Sequence, residues 1–201
     1  MKKIWTVFLC LILLFSVGWI QKNYKSEASL SENRKEEYFT EDIAVCSTSS
    51  TKSFMSYKAI TNKASRQYHF IQQHMGVDQT SGLLYDKAGF IGVALGSSFG
   101  SIGTRYYFTL DTGVVIPVVK VEEKADRHTR NGCEHLIDGS VLEFVIDMGI
   151  AKEYYKTKDA NVVVTGNFNS DVHFAGSIIG IKKVLRRNSF MKKAPFKLQT
   201  I

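Results

Sequence analysis

The sequence predicts a mainly β domain of six or seven short strands with one helix, closed as a barrel or packed as a sandwich, behind an N-terminal membrane or signal helix. Three observations predict it. Short runs rich in β-branched and aromatic residues recur between turn residues from Ser53 onward. Among these, Asn62 to Gly76 stands out for its helical spacing. An uncharged apolar run precedes them all. A chain of 201 residues holds about one domain plus its ends, and 44% apolar with 12% aromatic residues suits one core.

The first element is "IWTVFLCLILLFSVGWI", Ile4 to Ile20, behind Lys2 and Lys3. Its seventeen residues reach the lower limit for a helix that crosses a bilayer. The two lysines stay inside, so the rest of the chain faces out. Residues 1–20 are therefore expected as a signal peptide or membrane anchor. Ser16-Val17-Gly18 and Ser26-Glu27-Ala28 offer small residues at a signal peptidase's spacing, while the length of the run suits an anchor that is not cut. Residues 21–45 are polar and mixed in charge, which reads as a stalk. The folded domain is expected over 46–185, with a basic tail at 186–201.

Within the domain, Ser53 to Ile60 alternates as a strand does. Ala64, Tyr68, Ile71 and Met75 fall on one helical face, with Thr61 or Asn62 as cap and Gly76 as stop. Further strands are expected at Phe90–Leu95, Thr104–Leu110, Val114–Glu122, Val141–Asp147, Val162–Phe168 and Ser177–Val184. Asp111-Thr112-Gly113 is a turn between two of them. Between Leu95 and Thr104 stand Gly96, Gly100 and Gly103, separated by serines. Three glycines in so short a loop signal close backbone approach or positive φ.

The same loop carries a resemblance. "VALGSSFGSIGT" is similar, without a gap, to part of the three-aspartate domain, a small double-psi β-barrel of secreted bacterial wall proteins. Ile102-Gly103-Thr104-Arg105 matches that family's core motif, and Ala125-Asp126 matches its middle aspartate. "DGSVLEFVID" falls where the family has its last aspartate, which lands on Glu143, or on Asp147 with a slip of four. The first family aspartate falls on Gly96, and Arg127-His128-Thr129 replaces Thr-Gly-Gly. The resemblance implies a double-psi-type barrel related to those of membrane-bound lytic transglycosylase A and rare lipoprotein A, where a groove aspartate is implicated in cutting the peptidoglycan glycan. It implies Asp126 and Glu143 as catalytic residues, Thr104, Arg105 and Asp138 as substrate-binding residues, and no cofactor.

Glycosidic cleavage needs a carboxyl group that protonates the leaving oxygen. Glu122, Glu123, Glu134, Asp138 and Glu143 lie near Asp126 in sequence, so like charge or burial can raise one of these pKa values. The alternative is a solvated acidic loop. Cys133 lies between His128 and His135, which opens four further readings: a wall transpeptidase nucleophile, a zinc ligand shared with His135, a disulfide with Cys46, since Cys10 falls in the membrane run, or free thiols at Cys46 and Cys133.

Net charge is +7, and Lys182, Lys183, Arg186, Arg187, Lys192, Lys193 and Lys197 stand near the C-terminus without one acid among them. Outside a cell such a tail meets peptidoglycan, anionic wall polymers and lipid headgroups. The chain has no nucleic-acid motif, so nucleic acid is not expected as a partner. Two functions remain open: a lytic transglycosylase-like glycan cleaver, and a binding barrel that keeps the groove without the chemistry.

Overall fold

The computed structural model describes residues 39–158 and 161–185. The expected export helix, most of the expected stalk and the basic tail at 186–201 lie outside the described residues. Among the described residues no helix is long and apolar enough to cross a membrane.

The domain is mainly β. Its strands are β1 (Phe39–Ile43), β2 (Ser53–Ser56), β3 (Met75–Val77), β4 (Leu84–Asp86), β5 (Ile91–Leu95), β6 (Arg105–Leu110), β7 (Val115–Glu123), β8 (Thr129–Arg130), β9 (Glu134–His135), β10 (Glu143–Ile146) and β11 (Ile178–Leu185). Nine of them form one mixed sheet ordered β1-β11-β6-β7-β5-β10-β2, with β4 also pairing to β5 and β3 to β4. β8 and β9 make a separate small ribbon. The sheet does not close into the expected barrel: β1 and β2 end the path, and no pairing joins them among the described residues. Two neighbours, β5 with β7 and β10 with β2, run parallel, and the others are antiparallel.

Each face of the sheet buries its own cluster. Val93 and Leu95 of β5, Val118 of β7, and Phe144 and Ile146 of β10 enter one core with Phe99, Phe108 and Phe168. Ala94, Val119, Val121 and Val145 enter the other, under Ile71. Because both faces are covered, β5 is apolar at nearly every position rather than alternating.

Ile71 belongs to α1 (Arg66–His74), the one helix the spacing predicts. It starts later than Thr61 or Asn62, because Ser65 accepts a hydrogen bond from the Tyr68 amide and so caps it. Two more helices pack on the opposite face. α2 (Met148–Lys156) is capped by Asp147, which accepts from the amides of Gly149 and Ile150 and pairs with Lys58 at 3.0 Å. Asp147 is thus a helix cap and not a strand residue. α3 (Val162–Thr165) replaces the strand expected over Val162–Phe168. Gly166 ends it in the left-handed region at φ 66°, and burial of Val162 and Phe168 outweighs the β preference of three valines.

Strand β1 occupies part of the stretch expected as stalk, pairing antiparallel with β11 from Phe39↔Leu185 to Ile43↔Ile181. Just after it, Cys46 is disulfide-bonded to Cys133, with Cα atoms 6.5 Å apart at a sequence separation of 87. Cross-linking a loop of that length removes chain entropy from the unfolded state. Replacing both cysteines by serine should lower the unfolding free energy by about 4 kcal/mol. Urea titration of the parent and the double variant measures the difference.

Candidate functional site

Strand β7 carries the site because it is irregular. Its pairing with β5 runs Val93↔Lys120 and then Ala94↔Glu122, so one residue, Val121, bulges out. A bulge shifts the alternation of every later residue. Lys120 and Glu123 consequently share one face while Glu122 joins Val119 and Val121 on the face covered by α1. The expected strand boundary at Glu122 gave no sign of this division.

On the first face, the Lys120 ammonium is fully buried. It donates to the carbonyls of Gly96 (2.8 Å) and Gly100 (2.7 Å) and pairs with Glu123 at 2.8 Å. Those two carbonyls bracket the short 3-10 turn at Ser97–Phe99. The glycines answer to separate demands. A Cβ on Gly96 would collide with the Gly132 carbonyl, so this position needs close backbone approach. Gly103 has φ 90°, and a Cβ there would press on the Phe70 ring at 2.9 Å.

The loop is also fastened to the segment 126–133. Ser98 donates from both its amide (3.0 Å) and hydroxyl (2.7 Å) to the Gly132 carbonyl. Ser97 donates to Asp126 at 2.6 Å. Asp126 is exposed, at the start of a 3-10 turn, and its bond to Ser97 links two loops. Next to Gly132, Cys133 carries no thiol in this structure, since its sulfur is bonded to Cys46. That excludes it as thiolate nucleophile or zinc ligand in this state, and His135 is engaged with Asp138 at 3.1 Å.

On the second face, Glu143 of β10 and Glu122 of β7 flank Ala94 in one cross-strand row, Glu143↔Ala94↔Glu122. Their Cα atoms are therefore about 10 Å apart, two strand spacings. Ala94, buried between them, is the smallest side chain of the row. Burial pushes the Glu122 carboxyl above its ordinary range, with Glu123 and Glu143 adding to the effect. Hydrogen bonds from the Glu123 amide (2.8 Å) and from Gln67 of α1 (3.3 Å) oppose it without cancelling it. Glu143 is half-buried and has no side-chain hydrogen bond or ion pair among the described residues. Lys124 completes the group. Burial lowers its pKa while Glu143 and Asp138 pull it up, and its ammonium donates to the Ser140 carbonyl at 3.1 Å.

The other expected site residues make contacts within the domain. Arg105 pairs with buried Asp86 at 2.7 Å and lies over the Phe90 ring. Thr104 donates to the Ser101 carbonyl at 2.8 Å, closing the glycine loop. In Asp138, burial acts to raise the pKa, but hydrogen bonds from Ser140 and the neighbouring His135 outweigh it and hold the carboxyl low. Asp126 and Glu143 share no hydrogen bond: Asp126 accepts from Ser97, while Glu143 lies in the row with Ala94 and Glu122. Among the described residues, no group of three or more His, Cys, Asp or Glu is arranged to hold a metal ion.

Neither a family model, nor a curated protein, nor a solved structure matches this chain.

Two outcomes follow from this geometry. Lys120→Met should lower stability by about 3 kcal/mol, because two buried carbonyls lose their donor; thermal and urea unfolding measure it. Glu122 is protonated more readily when folded than when unfolded, so its contribution to stability is complete below about pH 4 and is lost as pH rises through the raised value. Denaturant midpoints at pH 4, 5.5 and 7 should show the parent losing ground to Glu122→Gln as pH rises.

Proposed function

We propose that this chain is an exported protein of the bacterial cell wall that cleaves glycan strands of peptidoglycan, acting at the outer face of the membrane or released from it. The observation that carries the reading is the Glu122–Glu143 pair: one carboxyl held toward its protonated form, a second with no hydrogen bond or ion pair among the described residues, and a small residue between them. The export segment at 1–20 and the resemblance of the glycine loop to the double-psi barrels of wall enzymes supply the compartment and the substrate class. On this reading the sheet is an opened relative of that barrel, with the loop at 96–104 as its crossing loop.

Glu122 is the general acid. Its proton passes to the glycosidic oxygen as the bond from the anomeric carbon breaks. A hydroxyl of the same sugar attacks the anomeric carbon, and Glu143 takes the proton that this hydroxyl loses. Proton exchange with water restores both carboxyls. Asp126 is a positioning residue here, holding the loop through Ser97.

A second reading, a binding module without turnover, is favoured by one observation. Asp126 and Arg105, the two residues most directly matched to the family motif, are both engaged in internal bonds. Peptidoglycan incubated with the protein and analysed by mass spectrometry for anhydro-sugar ends separates the two. Glu122→Gln should lower turnover by about 10²-fold or more. Asp126→Asn should keep turnover within a few-fold of the parent and lower the thermal midpoint. Absence of anhydro ends with the parent protein would leave the binding reading.

A further inference from the structure

The face that carries Glu122 and Glu143 also holds an open groove of about 320 Å³ beside α1. Tyr57, Lys58 and Ile60 line it from the turn after β2, and Lys63, Tyr68 and Ile71 from the approach to α1 and the helix itself. Ile71 is buried and Ile60 half-buried, so they form an apolar floor. Tyr57 and Tyr68 are half-buried, which leaves part of each ring open. The hydroxyls of both tyrosines have no hydrogen-bond partner among the described residues.

Charge narrows the occupant. From Ile43 to Val77 the chain contains Lys52, Lys58, Lys63 and Arg66 and not one Asp or Glu. Of the cations that line the groove, Lys58 is tied to Asp147 at 3.0 Å and lies over the Tyr57 ring. Lys63 is exposed and has no ion pair among the described residues. An aromatic wall with a hydroxyl at its edge suits a sugar ring, whose C–H face packs on the aromatic surface while its hydroxyls meet polar tips. An unpaired lysine at the rim suits a carboxylate. A phosphate polymer without rings would use the lysine and leave the tyrosines idle.

We infer that the groove lined by Tyr57, Lys63 and Tyr68 binds a sugar ring that carries a carboxylate, in a glycan strand lying along the α1 side of the sheet. This rests on the proposed action on wall glycan and names where the strand is held. The link to Glu122 runs through α1: Gln67 donates to Glu122, while Tyr68 and Ile71, one and four residues further on, line the groove. A single strand can then meet both parts of the face, the groove for hold and the Glu122–Glu143 row for chemistry.

The test uses the full chain in a neutral detergent and, as probe, soluble peptidoglycan strands freed of their stem peptides, so that the carboxylates are those of the sugar rings, labelled with a fluorophore, with affinity read by anisotropy. Three controls accompany it: the same strands with their carboxyls converted to amides, a chito-oligosaccharide hexamer, and poly(glycerol phosphate). Lys63→Glu and Tyr68→Ala should each weaken binding of the carboxylated strands by about tenfold. The amidated strands and the uncharged hexamer should bind the parent about tenfold more weakly than the carboxylated strands do, and should not respond to Lys63→Glu. Equal affinity for the parent and Lys63→Glu overturns the inference, and so does equal affinity for carboxylated and amidated strands. Tight binding of poly(glycerol phosphate) that survives Tyr68→Ala also overturns it, in favour of a plain anion site. Glu122→Gln separates this from the catalytic reading. Lys63-dependent binding with no anhydro ends from any protein leaves the groove standing and removes the catalysis. Turnover with binding indifferent to Lys63 does the reverse.

Discussion

The Lys120 ammonium is the interaction on which the geometry of the glycine loop depends. It is withdrawn from water entirely, and it points two backbone carbonyls and a carboxylate toward one centre. A charge in such a place is tolerated only when each of its protons has an acceptor. That requirement fixes where Gly96 and Gly100 lie. Their positions in turn place the hydroxyls of Ser97 and Ser98 against Asp126 and Gly132. Glu123 is half open to solvent, so the pair is buried at one end and wet at the other. The loop is thereby fastened from below by a lysine and from the side by serines, with Gly132 and the disulfide at Cys133 behind it.

The bulge at Val121 decides what the two consecutive glutamates become. Without it Glu122 would lie on the same face as Lys120, and Glu123 would point toward α1. With it, Glu123 neutralises the lysine, and Glu122 is left among apolar neighbours where a carboxylate is disfavoured. One extra residue in a strand therefore converts a pair of identical side chains into one ion-pair partner and one carboxyl whose pKa burial raises. The same register brings Glu143 opposite Ala94, in the row that also holds Glu122.

How much of this was legible depended on whether the signal was local. Strands with strong β-branched runs were found close to their observed limits: Phe90–Leu95 against Ile91–Leu95, and Thr104–Leu110 against Arg105–Leu110. The three-valine run at 162–164 misled, because its helix depends on a glycine with positive φ and on burial against partners distant in sequence. Strands of two or three residues, such as Met75–Val77 and Leu84–Asp86, carry too few residues to show a period. β1 was hidden in polar sequence because it lies at the sheet edge, where four of its five side chains are exposed. At the site, Glu143 was singled out by resemblance, while Glu122 was only one of several nearby acids. The bulge that distinguishes Glu122 is a property of pairing with β5 and cannot be read from β7 alone. The groove at Tyr57 and Tyr68 was missed for a different reason: its residues come from two separate elements and share no motif. The absence of acids from Ile43 to Val77 was the one sequence signal that pointed there.

The antiparallel pairing of Phe39 with Leu185 means that the chain enters and leaves the folded domain side by side, on the two strands at one edge of the sheet. Tension applied between the two ends would therefore act on β1 and β11 as on the two halves of a zipper, loading their hydrogen bonds one after another rather than all at once. Such a joint yields at low force, starting from the end where Phe39 meets Leu185. On the N-terminal side the strip released would end at Ile43, because the disulfide at Cys46 carries the load from there to Cys133, while on the C-terminal side the load passes to the pairing of β11 with β6. The five residues of β1 would thus be the first part of the domain to yield on the N-terminal side.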